Sequence, residues 1–229
     1  MKHIQCIVSK NNISLFHHIL RQGVEYSCQL PQSIKEFLLV ELELTPKQVE
    51  DEIRTVFLDN SPVDNLEEAL LTPDCVLALG TAMPGLVGIT MACSSPFSGF
   101  RDDISAARHH AADLANSREL GSLRVKLFSF VADMCGSEIL KKGVFVTEEK
   151  VRGLLGELEN NLGRELEKHL VSLSIDGRTV PVRTFLAQAG PQPTPQGTKK
   201  TPAHGATELI RFTCRETTSS EHDADATGN

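Results

Sequence analysis

The chain has 229 residues, room for one large domain or two small ones, and its 40% hydrophobic and 23% charged residues suit a chain that buries a core. With 10 Phe, 1 Tyr and no Trp, that core is mostly aliphatic and no site can rest on an indole. The formal charge is −7, residues 35–68 carry ten acids against three bases, and no Lys/Arg cluster exceeds a pair, which excludes a binder of nucleic-acid phosphates.

The opening run, Ile4 to Val8, is too short for the apolar part of an export signal, and nowhere do about 18 apolar residues run together to span a membrane. Six cysteines (6, 28, 75, 93, 135 and 214) are scattered without a C-x-x-C pair. They are expected as reduced thiols in a cytoplasmic protein, packed as small hydrophobes, with no metal and no cofactor.

In chain order, Ile4–Val8 reads as a strand, 15–22 as a short helix closed by Gly23, and 25–30 as a second strand. Ile34, Phe37, Leu38 and Leu42 mark a helix, and Thr45-Pro46-Lys47-Gln48 opens another with a Thr cap, Pro at the first position and Gln at the third. Ile53–Leu58 is a strand, 59–63 a turn, and Cys75–Leu79 a closing strand. Ser94 to Gly99 is a turn-rich break, and Phe100, Ile104, Ala107, Ala111 and Leu114 then space an amphipathic helix over 100–116.

The second half repeats this order. Leu123–Phe130 alternates as a strand, a short turn closes at Gly136, and Glu138–Val146 reads as a second strand. Thr147 caps a helix with Glu148 and Glu149 in its first turn, where carboxylates meet the positive end of the dipole. Val151, Leu154, Leu155, Leu158 and Leu162 form its apolar stripe. Leu170–Ile175 is a strand, Asp176-Gly177 a tight turn, Thr179–Val182 the return, and Glu208–Thr213 the closing strand. Residues 190–206, rich in Pro, Gln, Thr and Gly, read as a disordered insertion, and 215–229 as a disordered acidic tail.

Strand, strand, helix, strand, turn, strand is the β-grasp order. The expected fold is therefore α+β, with two β-grasp (ubiquitin-like) domains joined by a helical connector. Domain 1 spans 1–93, the connector 94–119 and domain 2 spans 120–214.

The residues Val125-Lys-Leu-Phe-Ser-Phe130 and Ser174-Ile-Asp-Gly-Arg178, with Val56-Phe-Leu-Asp-Asn-Ser-Pro-Val63 and Leu66 to Leu79, resemble the small sulfur-carrier family. That family includes the molybdopterin synthase small subunit and the thiamine-biosynthesis carrier. The resemblance implies a C-terminal Gly-Gly whose free carboxylate is activated and converted to thiocarboxylate. This chain contains no Gly-Gly. The nearest match, Met83-Pro84-Gly85-Leu86-Val87-Gly88, runs on into Ile89 and the whole second half. Without a carboxylate after glycine the carrier reaction has no substrate atom.

The expected function is thus a non-catalytic partner-binding protein with degenerate carrier-like domains, using Met83, Pro84, Gly85, Leu86, Val87 and Gly88 against a protein partner. The alternative is a sulfur-transfer component in molybdenum/tungsten-cofactor or thiamine-type biosynthesis, acting after cleavage near Gly88 or through Cys93. Cys93 is the candidate reactive thiol, since Arg101 or His109 could lower its pKa if folded nearby. The pairs His17-His18 and His109-His110 lack the i, i+4 spacing of two ligands on one helix face, and read as solvated or capping side chains. Asp102-Asp103 is explained by a helix N-terminus. No G-x-S-x-G elbow or Gly-rich phosphate loop is present, and no enzyme class is supported.

Overall fold

A computed structural model describes residues 1–82, 84–93, 95–97, 99, 101, 118–128, 130–188 and 208–217. The chain is mixed α/β. Strand β1 (His3–Val8) buries Ile4, Cys6 and Val8 on alternate positions, followed by a 3-10 turn and helix α1 (His18–Gln22). Strands β2 (Val24–Leu30) and β3 (Gln32–Ser33) lead to α2 (Ile34–Glu36), where the Ser33 hydroxyl accepts from the Glu36 N–H and a π-turn continues over Phe37–Glu41. Helix α3 (Pro46–Asp51) opens on a complete capping box, Thr45 with Gln48, a device that stabilises a helix start by about 1 kcal/mol. Strands β4 (Thr55–Leu58), β5 (Ser61–Pro62), β6 (Leu70–Leu71) and β7 (Val76–Gly80) follow, then α4 (Gly85–Met91).

Strand β8 (Glu119–Leu127) is the longest, and α5 (Phe130–Lys142) follows it. Strand β9 (Val144–Thr147) then gives way to α6 (Glu148–Leu162), capped by Thr147, and to a 3-10 turn and α7 (Leu166–His169). Strands β10 (Leu170–Ile175) and β11 (Arg178–Thr179), helix α8 (Val182–Ala187) and strand β12 (Leu209–Glu216) complete the described chain.

Two stretches of the second half depart from the sequence expectation. Residues 138–142 belong to a helix, not to a strand, and only 144–147 extend. Val131, Ala132, Cys135, Ile139 and Leu140 are all buried, and their spacing of three to four places them on one helical face. Val182, expected at the end of a return strand, instead begins a helix over Val182–Ala187, with Pro181 extended at its cap and the last ladder bond running from the Val180 N–H to the Leu173 carbonyl at 2.8 Å. The 100–116 helix (Arg101 aside), the 190–206 insertion and the tail beyond 217 lie outside the described residues.

The chain forms two compact units that do not follow its order. A continuous unit holds residues 16–144, and a split unit combines 1–15 with 145–229. In the continuous unit the strands lie β2-β8-β7-β4-β5. Strands β2 and β8 are antiparallel, β8 and β7 parallel, β7 and β4 antiparallel, and β4 and β5 antiparallel. In the split unit the order is β9-β12-β1-β10-β11, with β12 and β1 parallel, β1 and β10 antiparallel, and β10 and β11 antiparallel.

The two units agree bond for bond at their hairpins. Each turn has two residues at positive φ, Asp59 (50°) and Asn60 (68°) in one, Asp176 (48°) and Gly177 (79°) in the other, the form that matches strand twist. The Asp59 N–H donates to the Val76 carbonyl at 2.9 Å while its carboxylate accepts from the Val76 N–H at 2.8 Å. Asp176 makes the same two bonds with His3, at 2.9 and 2.8 Å. Strand β1 thus holds in the split unit the place that β7 holds in the continuous one.

Candidate functional site

The segment singled out as partner-binding leaves the end of β7, where the Thr55 hydroxyl donates to the Thr81 carbonyl at 3.0 Å. Pro84 is extended at the cap position, and Gly85 stands at φ 80°, a conformation glycine adopts without a Cβ penalty, so the chain turns there into α4. Within α4 only Gly88 is buried, whereas Leu86 is 73% exposed, Val87 66% and Ile89 49%. Met83 lies outside the described residues. The segment expected to meet a partner is a short helix from Gly85 onward, carrying three exposed aliphatic side chains. Gly88 lies in mid-helix, not at a chain end.

Arg101 fixes the far end of α4. Its buried guanidinium donates to the Thr90 carbonyl, to the Ala92 carbonyl at 3.1 Å and to the Asp64 carboxylate at 2.6 Å. A cation on the last carbonyls of a helix satisfies acceptors that have no partner within it and complements the dipole.

Cys93 follows at once. Its N–H donates to the Arg54 carbonyl at 2.8 Å and its thiol to the Val63 carbonyl at 3.2 Å. Burial, with Asp64 adding to it, pushes the thiol up to about 11, although Arg101 and Arg54 both act to lower it. Arg101 is the neighbour the sequence suggested, but desolvation of the thiolate outweighs it, and the group is a protonated thiol near neutral pH. His109 lies outside the described residues, as do His110, Asp102 and Asp103. Cys93 also borders a groove of about 840 Å³ with Leu39, Val49, Ile53 and Leu66 among its apolar walls. Lys35 and Glu67 are paired at 2.5 Å at its rim.

A second constellation escaped the sequence reading. His17, expected as a solvated or capping residue, is only 3% exposed. Its Nδ1 lies 3.2 Å from Asp133 Oδ1 and its Nε2 lies 3.3 Å from Ser137 Oγ. Asp133 and Ser137 are one turn apart on α5, so a single helix face presents both. The approach needs Gly136, because a Cβ there would meet Leu20 Cδ1 at 2.8 Å and His17 Cδ2 at 3.0 Å. The signal was present in the sequence as Asp133-x-x-x-Ser137, but it is visible only once 130–142 is read as a helix.

No family model matches the chain, and neither a curated protein nor a solved structure matches it. Among the described residues no helix is long and apolar enough to cross a membrane.

Proposed function

We propose that the chain is a partner-binding protein derived from tandem β-grasp, sulfur-carrier-like units, and that α4 is its docking element. One observation carries this reading: three aliphatic side chains, Leu86, Val87 and Ile89, stand exposed on one seven-residue helix. Covering each such side chain contributes about 1.5–3 kcal/mol, so the three together can dominate a protein interface. The ends of the helix are already fixed, by Gly85 at its start and Arg101 at its finish, so docking need not order it first.

The strand order of the continuous unit supports the β-grasp part of the reading. A β-grasp sheet sets its first and last strands side by side and parallel at the centre, with the second strand beside the first and the hairpin beside the last. Strands β8 and β7 make such a central pair, flanked by β2 and by the β4–β5 hairpin. The first-strand place is then filled by β8, which begins the second sequence repeat. The carrier alternative asks for a chain end at Gly88 or a thiolate at Cys93, and neither the helical setting of the one nor the raised pKa of the other favours it.

Affinity capture of the tagged protein from its own cells, at native abundance, tests the docking element. A specific protein partner should be retained by the native chain and lost by at least about tenfold in a Leu86→Asp/Val87→Asp variant that still unfolds cooperatively. A partner retained equally by that variant would remove α4 from the interface.

A further inference from the structure

We propose that Asp133, His17 and Ser137 form a hydrogen-bonded relay that makes the Ser137 hydroxyl an acceptor for acyl groups from activated esters. The inference goes beyond partner binding and does not depend on it, since it concerns α1 and α5 and leaves α4 unused.

The chemistry follows from what each atom can donate. An ionised carboxylate only accepts, so the 3.2 Å contact with Asp133 Oδ1 requires the proton of neutral His17 to sit on Nδ1. That leaves Nε2 with its lone pair directed at Ser137 Oγ, 3.3 Å away. The hydroxyl therefore donates to the imidazole, the polarity a general base needs to activate a serine. His17 is almost wholly buried and wedged against Gly136, which fixes its ring, while Ser137 is partly exposed and Asp133 exposed. The base is shielded and the nucleophile is within reach of a reagent in solution. Burial, opposed by Asp133, lowers the His17 pKa and keeps the ring in its basic form at neutral pH.

In the step itself, Ser137 Oγ bonds to the ester carbonyl carbon as its proton passes to His17 Nε2. The bond to the leaving oxygen then breaks, and that oxygen takes the proton back from Nε2. The products are acyl-Ser137 and the free alcohol, with no change of oxidation state. Asp133 acts as a positioning residue, holding the tautomer.

The test uses the full chain and a fluorophosphonate probe, which forms an O–P bond at an activated serine as fluoride leaves with the displaced proton. The expected result is an adduct mapped by peptide mass to Ser137 and absent in Ser137→Ala. His17→Gln should slow labelling by about a hundredfold or more, the usual contribution of a general base. Asp133→Asn, a change at an exposed site that spares the fold, should slow it by a smaller factor. The rate in the native chain should rise with pH as His17 loses its proton and level off near neutrality. No adduct on Ser137 in the cooperatively folded native chain overturns the proposal. So does labelling at an undiminished rate in both the His17→Gln and the Asp133→Asn variants.

Discussion

His17 and His18 are neighbours in the sequence and differ in burial: His18 is exposed, while His17 is only 3% exposed. Burial is the chief influence on the His17 pKa and lowers it from 6.5, with the hydrogen bond and charge of Asp133 opposing and Arg21 adding to the fall. Because the unfolded chain takes up this proton at about 6.5 and the folded chain only at a lower pH, the unfolded state binds more protons between those limits. Stability should therefore be full above about pH 6.5 and decline as the pH falls towards the folded value. His3 is shifted in the same direction, so the informative quantity is the difference between the native chain and His17→Gln. Urea midpoints from pH 7.5 to 5 should fall further in the native chain than in that variant. Equal slopes would mean that His17 titrates as freely in the folded state as in the unfolded one.

The element that separates sequence from structure is α5. Strands of period two, the Thr45 capping box, the Thr147 cap and the two Asp-led turns were all legible, because each is a local pattern with a local physical cause. Residues 130–142 were not, since Gly136 suggested a break and the apolar residues after it suit either state over so short a run. With the helix went the Asp133–Ser137 pair, and so the second candidate site. Strand pairing was beyond local signal altogether: β8 lies between β2 and β7 although 97 residues (123 − 26) separate the register partners Tyr26 and Leu123. This pairing makes a definite prediction about fragments. A 1–93 fragment lacks β8, whose buried Leu123, Val125 and Leu127 line the centre of the sheet, and should show no cooperative transition. A 16–144 fragment holds every strand of that sheet and should unfold cooperatively in urea. Circular dichroism of the two fragments checks this, and a cooperative 1–93 fragment would restore the division suggested by chain order.

At the scale of the whole chain, each unit sets five strands in the same order, while the strands that fill those places come from distant parts of the sequence. The N-terminal strand belongs with the C-terminal half: β1 lies between β10 and β12, antiparallel to one and parallel to the other. Its Ile4, Cys6 and Val8 are fully buried, and burial of three such side chains contributes about 4–9 kcal/mol, comparable with the entire stability of a small unit. Removing residues 2–9 takes away that burial, both ladders, and the two bonds from His3 to the Asp176 turn. The loss should fall on residues more than 150 positions away in the chain, and not on the residues that follow the cut. Amide hydrogen exchange of the truncated chain should accordingly show protection lost in β10 and β12 and kept in β2, β4, β7 and β8. Protection lost first in β2, the next strand along the sequence, would mean that β1 stabilises the continuous unit, and the split unit would have to be redrawn without its N-terminal strand.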